Sequence, residues 1–119
     1  MVNILMVPLI NEGSNITIVS RNFPTDLNKR KSAILTPNTD DYSIHFLEEG
    51  WKSINNINFF WIKAVHERTD DTLKMISYIF TNKSSSIEIG CGSLIENFDN
   101  FKNDYNELIE SMRFTKNIG

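Results

Sequence analysis

The segment "FDNFKNDYNELIESMRF", residues 98–114, has the most regular apolar pattern in the sequence and decides the fold. At about 100° of rotation per residue, its apolar side chains fall within an arc of roughly 100° around a helix axis. These residues are Phe98, Phe101, Tyr105, Leu108, Ile109 and Met112. The acidic and amide residues of the segment lie outside that arc. The pattern therefore predicts an amphipathic helix whose apolar face packs on a sheet.

The last aromatic residue of the segment indicates where this helix ends. If the helix continued through Phe114, that side chain would lie roughly opposite the apolar face and point into solvent. We therefore expect the helix to end near Met112 or Arg113, so that Phe114 turns back into the core.

Upstream of the helix, the sequence has the pattern of antiparallel strands joined by turns. Residues 2–7 and 16–20 are rich in aliphatic and β-branched side chains and flank a polar turn, which predicts an N-terminal hairpin. Four further apolar segments are separated by short polar turns: 42–54, 58–68, 73–81 and 86–92. Their spacing predicts a four-strand antiparallel meander. Gly50 suggests a bulge or bend midway along the first strand of the meander.

A short helix is predicted over residues 24–35. Pro24 suits its start, Thr25 or Asp26 can cap it, and Pro37 ends it. The predicted fold is therefore α+β. It has an antiparallel sheet of about six strands, packed by the C-terminal amphipathic helix and by this short helix. A length of 119 residues supports one core, so we expect a single domain over 1–119.

The composition argues against several classes of function. The net charge is -3, so the chain lacks the basic surface that a nucleic-acid partner needs. The basic run Lys29-Arg30-Lys31 is more typical of a solvated face. No apolar run is long enough to span a membrane. The apolar N-terminus has no basic region or cleavage site, which favours a strand over a signal peptide. We expect a cytoplasmic protein, or a periplasmic or envelope protein if a leader has been removed.

Three residues are candidates for chemistry. Cys91 lies between two glycines in "IGCGS", where a nucleophile could be accessible to substrate, although a small buried residue fits the pattern better. His45 and His66 lie in predicted strands, without the spacing of a metal site. Glu67 adjoins His66 but points to the opposite face, so a partner would have to come from elsewhere, such as Glu88. We predict no catalytic, cofactor-binding or metal-binding residues.

The aromatic strand "NFFWIK" is the best candidate for binding. Phe59 and Trp61 share one face of a strand, and Phe60 and Ile62 share the other. If a helix covers one face alone, the opposite aromatic side chains are exposed to a partner. The alternative is that helices cover both faces. Phe59, Trp61 and Trp51 are the predicted protein-binding residues.

The tail motif "S-x-R-F" at Ser111–Phe114 follows the aromatic stripe, and the hairpin at 2–7 and 16–21 precedes the meander. In these features the sequence resembles the PsbP-like superfamily, particularly its bacterial DcrB-like branch. That branch includes cytoplasmic chaperones that hold the hydrophobic segments of type VI secretion effectors. The resemblance implies an antiparallel sheet flanked by helices, and a binding protein that is not an enzyme.

The sequence and its resemblance together predict a non-catalytic bacterial protein-binding domain, with a chaperone or adaptor for a secreted effector as the more specific hypothesis. The partner would be another protein, with no nucleic acid and no membrane span, and an uncovered sheet edge would suit a homodimer. One alternative is an immunity-type or envelope accessory protein. Another is a small enzyme that uses Cys91 with a histidine.

Overall fold

The computed structural model describes residues 2–8, 14–37 and 42–111, with side chains from residue 14 onward. These residues form six strands, two α-helices and a short 3-10 turn at Ile95–Asn97. The strands are β1 (Val2–Pro8), β2 (Ser14–Arg21), β3 (Ser43–Ile54), β4 (Ile57–Glu67), β5 (Thr72–Thr81) and β6 (Ser86–Leu94). The helices are α1 (Leu27–Ile34) and α2 (Phe98–Ser111).

All six strands form one antiparallel sheet in the order β1-β2-β6-β5-β4-β3. The N-terminal hairpin joins the meander through β6, which pairs with β2 on one side and β5 on the other. The predicted α+β class and the predicted strands are confirmed. Each predicted strand boundary lies within two residues of the observed one.

The turn between β3 and β4 is built from two asparagines. Asn55 and Asn56 have φ angles of 53° and 67°, in the left-handed region. A two-residue hairpin turn of type I′ needs this conformation at both central positions, and asparagine tolerates it better than most residues. The turn fixes the register of β3 on β4, with Trp51 opposite Phe60.

β3 does contain an irregularity midway, as Gly50 suggested, but it does not lie at Gly50. The register of β3 on β4 shifts between Phe46 and Glu48 instead. Gly50 lies opposite Trp61, and a Cβ atom at that position would come within 2.8 Å of Cζ2 of the indole. Gly50 therefore leaves room for the Trp61 ring, a cross-strand requirement that the local sequence does not show.

Helix α2 covers one face of the sheet. Its apolar stripe buries Phe98, Phe101, Tyr105 and Ile109, as the sequence predicted. The Tyr105 hydroxyl donates a hydrogen bond to the carbonyl oxygen of Gly92 at 3.0 Å, which ties the helix to β6. The expected end of the helix and the return of Phe114 to the core lie outside the described residues.

Helix α1 lies on the opposite face and covers less of it. Asp26 caps its N-terminus, accepting a hydrogen bond from the backbone N–H of Lys29 at 3.1 Å, so one of the two predicted caps is confirmed. Every described side chain of α1 keeps some exposure. Leu27 and Ile34 pack on a small cluster of buried residues, which comprises Phe60, Ile62 and Ile79. Because α1 has eight residues, much of this face has no helix above it.

Candidate functional site

The structure shows which face of the sheet each predicted binding residue occupies. Phe59 and Trp61 share one face, as predicted, but α2 packs on that face. Phe59 is 0% exposed in the core, and Trp61 is partly buried against it. The expectation that Phe59 is available to a partner is therefore wrong, because the apolar stripe of α2 occupies the surface that it faces.

Trp51 is the predicted binding residue that the structure leaves accessible. Its side chain is 64% exposed and lies on the face that carries α1. The indole packs edge-on against Phe60, its cross-strand neighbour, with ring centroids 5.4 Å apart. Phe46 lies on the same face and is 45% exposed, with the Lys31 ammonium 5.1 Å from its ring centroid.

A cavity of about 290 Å³ lies between α1 and this face of the sheet. We call it the trough. Its apolar lining consists of Val19, Ile34, Ile62, Ala64 and Met75, together with Gly90. The trough, Phe46 and Trp51 form one incompletely covered surface, which we call the α1 face.

The trough exists because two central positions of the sheet carry little side-chain volume. Gly90 on β6 pairs with Ser77 on β5, and both face α1. A Cβ atom at Gly90 would find Ser77 Oγ, at 3.9 Å, as its nearest neighbour, so the space above the glycine is open. A glycine in a central strand weakens packing unless something approaches the backbone there. The position therefore suits an incoming side chain or peptide.

One end of the trough is closed by an ion pair between α1 and the sheet. Arg30 donates two hydrogen bonds to the carboxylate of Glu88, at 2.6 and 2.7 Å. This contact raises the pKa of Arg30, although burial of the guanidinium opposes it. Nη1 of Arg21 lies 3.8 Å from the same carboxylate, is buried, and has no hydrogen-bond partner among the described residues. The pair holds α1 over one end of the trough.

His66 lines the other end of the trough. Burial lowers the pKa of its imidazole, and the nearby charge of Arg68 lowers it further. Glu88 does not serve as its partner. The Glu88 carboxylate is already bound by Arg30. In the sheet, Glu88 pairs with Ile79, which pairs with Phe60 on β4. His66 lies six residues beyond Phe60 on β4, so it is roughly 20 Å from Glu88 along the strand direction.

The structure separates Cys91 from both histidines. The thiol is fully buried on the α2 side, and burial raises its pKa to about 12. His66 faces the trough on the opposite side of the sheet. His45 lies on β3, where its imidazole contacts the Glu67 carboxylate at 2.8 Å. β3 is three strand spacings, or about 14 Å, from β6, the strand that carries Cys91. A thiol and an imidazole therefore do not meet in this fold.

Two further features of the described residues are the grouping of potential metal ligands and the length of the helices. Within ranges 2–8, 14–37 and 42–111, no group of three or more His, Cys, Asp and Glu side chains is placed to hold a metal ion. In the same ranges, neither helix is long and apolar enough to cross a membrane.

The sequence did not reveal the trough, because the cavity depends on the register of three strands at once. The one available signal was the alternation in "SIEIGCG", which places Gly90 on the same face as Glu88 and opposite to Cys91. Such alternation predicts a shared face, but it cannot show whether a helix covers that face.

No protein-family model and no curated protein matches this sequence. Solved structures share the fold. A protein of unknown function from Pseudomonas aeruginosa superposes with a TM-score of 0.72 at 7% identity, over 97% of this chain and 83% of that one. The cyanobacterial PsbP protein of Synechocystis superposes with a TM-score of 0.70 at 10% identity, over 94% of this chain and 82% of that one. The fold is therefore PsbP-like, and identities this low carry the fold alone.

Proposed function

We propose that this chain is a non-catalytic protein-binding domain whose α1 face receives an apolar segment of another protein. The observation that carries the proposal is the trough, an aliphatic-lined cavity of about 290 Å³ that α1 leaves partly uncovered in the middle of the sheet. Exposed apolar surface of this kind, rimmed by polar groups, is characteristic of interaction sites.

The edge of the sheet supports the same proposal. β3 is the last strand in the sheet order and carries three exposed apolar residues, Phe46, Leu47 and Trp51. Aromatic side chains supply much of the binding energy at protein interfaces. A partner segment lying in the trough and extending toward β3 would cover both the aliphatic lining and Trp51.

The more specific proposal is a chaperone or adaptor for a secreted bacterial effector. Its support is the resemblance to the DcrB-like branch in the tail motif, together with the PsbP-like fold. The lining of the trough suits an apolar client segment, since its apolar side chains are mostly aliphatic and Gly90 gives room for the client's own side chains. The burial of Cys91 supports a role without catalysis.

The experiment is affinity purification of the protein from its native host, with identification of bound proteins by mass spectrometry. The decisive variant is Gly90→Val, because valine suits a strand, its Cβ atom has Ser77 Oγ at 3.9 Å as its nearest neighbour, and its branched side chain occupies the middle of the trough. Ile95→Ser is the matched control, since Ile95 is an exposed apolar residue outside the α1 face. A partner should be recovered with wild type and Ile95→Ser and lost with Gly90→Val. Recovery of no partner, even after crosslinking, would contradict the proposal.

A further inference from the structure

The α2 face holds a second cavity, of about 200 Å³, beside the helix. Its walls are aromatic and its rim is basic. The residues that define it are Trp61, Tyr78 and Phe98, with Lys52, Lys63 and Lys102, and we call it the lysine–aromatic cavity. It is separated from the trough by the thickness of the sheet, and its residues come from α2 and three different strands.

Positive charge is concentrated at this cavity in a chain whose net charge is -3. Lys63 contacts Glu48 at 2.9 Å, and Lys52 lies 3.8 Å from Glu110. Lys102 forms no ion pair with any residue in the described part of the chain. The lysines outnumber the carboxylates that face them, which leaves Lys102 as a surplus cation at the rim.

The lysine charges around the cavity also act on Glu48 and on the ring of Phe98. The pKa of Glu48 is lowered, first by its hydrogen bond from Lys63 and further by the charges of Lys74 and Lys102. Lys74 also places its ammonium 4.9 Å from the ring centroid of Phe98. A fourth lysine therefore adds to the positive potential around the cavity.

Tyr78 supplies a hydrogen-bond donor to the lining of the cavity. Its side chain is 4% exposed and lines the cavity, yet it makes no hydrogen bond to any residue that the structure describes. Burial raises its pKa to about 12, so the hydroxyl stays protonated at neutral pH and can donate. A tyrosine hydroxyl that borders a cavity and has no partner among the described residues is available to donate a hydrogen bond to a ligand there.

We propose that the lysine–aromatic cavity binds a small aromatic carboxylate, with its ring against the aromatic walls and its carboxylate toward Lys102 and the Tyr78 hydroxyl. The size fits, because an apolar cavity of about 150 Å³ accommodates benzene. A monoanion suits the cavity better than a phosphate does, because Lys102 is the one lining lysine without an ion pair to the described residues. The aromatic walls also need an apolar partner, which an inorganic anion does not provide.

The test uses sodium benzoate as the probe. The Trp51→Phe variant leaves Trp61 as the only tryptophan, since the chain has two, so its fluorescence reports on the cavity. Benzoate should change this fluorescence saturably, with a dissociation constant on the order of 1 mM at low salt. Benzyl alcohol, which has the same ring without the charge, should bind about tenfold more weakly or not saturate. Equal responses to both compounds, or no saturation with benzoate, would overturn the proposal.

Two substitutions in the Trp51→Phe background assign the contacts. Lys102→Gln should weaken benzoate binding about threefold, as expected for an accessible ion pair. Tyr78→Phe keeps the ring but removes the hydroxyl, and should weaken benzoate binding about three- to tenfold. Lys29→Gln, on exposed α1 across the sheet, is the charge control and should leave the affinity unchanged. If Lys29→Gln weakens binding as much as Lys102→Gln, the benzoate responds to net charge alone and the proposed contact is wrong.

Discussion

Arg30 on α1 holds the carboxylate of Glu88 on β6 through two parallel hydrogen bonds of 2.6 and 2.7 Å. The carboxylate side chain is 8% exposed, whereas the arginine retains access to water. This pair links the short helix to the sheet at a point where α1 contributes few buried apolar contacts. It therefore determines how firmly α1 covers the end of the trough.

Breaking this pair should destabilise the fold. Arg30→Gln is expected to lower the free energy of unfolding by about 1.5–3 kcal/mol, the range for hydrogen bonds to charged groups, because Glu88 stays buried with less compensation. Urea denaturation measures the change. Lys29→Gln, one residue earlier in the helix and exposed, should change it by no more than about 0.5 kcal/mol. Similar effects from the two variants would show that the ion pair does not hold α1.

Alanine substitutions at two glycines of the sheet should change the stability of the protein in opposite directions. At Gly50 a Cβ atom would come within 2.8 Å of the Trp61 ring, so Gly50→Ala should cost about 1–3 kcal/mol of stability. At Gly90 the space is open, so Gly90→Ala should be neutral or stabilise by up to about 1 kcal/mol. Thermal denaturation of the two variants separates these outcomes. A destabilised Gly90→Ala variant would show that the trough is not open in solution.

Cys91 should be inert in the folded protein. The thiol is fully buried with a pKa raised to about 12, so almost no thiolate is present at neutral pH. Iodoacetamide should label it only through the unfolded state, so urea should accelerate the reaction along the unfolding transition. Fast labelling of the native protein near neutral pH would revive the enzyme alternative that uses this thiol.

His66 should make stability depend on pH in a defined window. Its folded pKa is lowered by burial, so the unfolded chain binds a proton more readily than the folded chain. The stability contributed by the neutral imidazole is present above the unfolded pKa, about 6.5, and is lost as the pH falls below it toward the folded pKa. Urea denaturation of wild type and His66→Gln at a series of pH values, from about 8 down to about 5, measures this loss of stability. If the free energy of unfolding changes with pH in the same way for both proteins, His66 is not the source of the pH dependence.

The elements of the fold were predictable because their signals are local. The apolar stripe of residues 98–111 and the alternation within each strand depend on neighbours a few residues apart. The Asn55-Asn56 turn is equally local, since a hairpin of that length needs residues that tolerate positive φ. These features required no knowledge of which strands pair.

The candidate sites were less predictable, because they depend on pairing between distant segments. Phe59 was correctly grouped with Trp61, but alternation cannot show which face α2 covers. Gly50 indicated a local bend, whereas its role is to accommodate an indole on the next strand. The lysines of the lysine–aromatic cavity lie far apart in sequence, so no charge run marks them.

The central claim is that a partner protein binds the α1 face, and photocrosslinking from that face tests it most directly. Trp51→p-benzoylphenylalanine places the crosslinker beside the trough, and Ile95→p-benzoylphenylalanine places it on an exposed site elsewhere. After irradiation in the native host, we expect a discrete crosslinked partner from position 51 and none from position 95. The Gly90→Val substitution should abolish the product at position 51. No product at position 51, or the same product at both positions, would contradict the account.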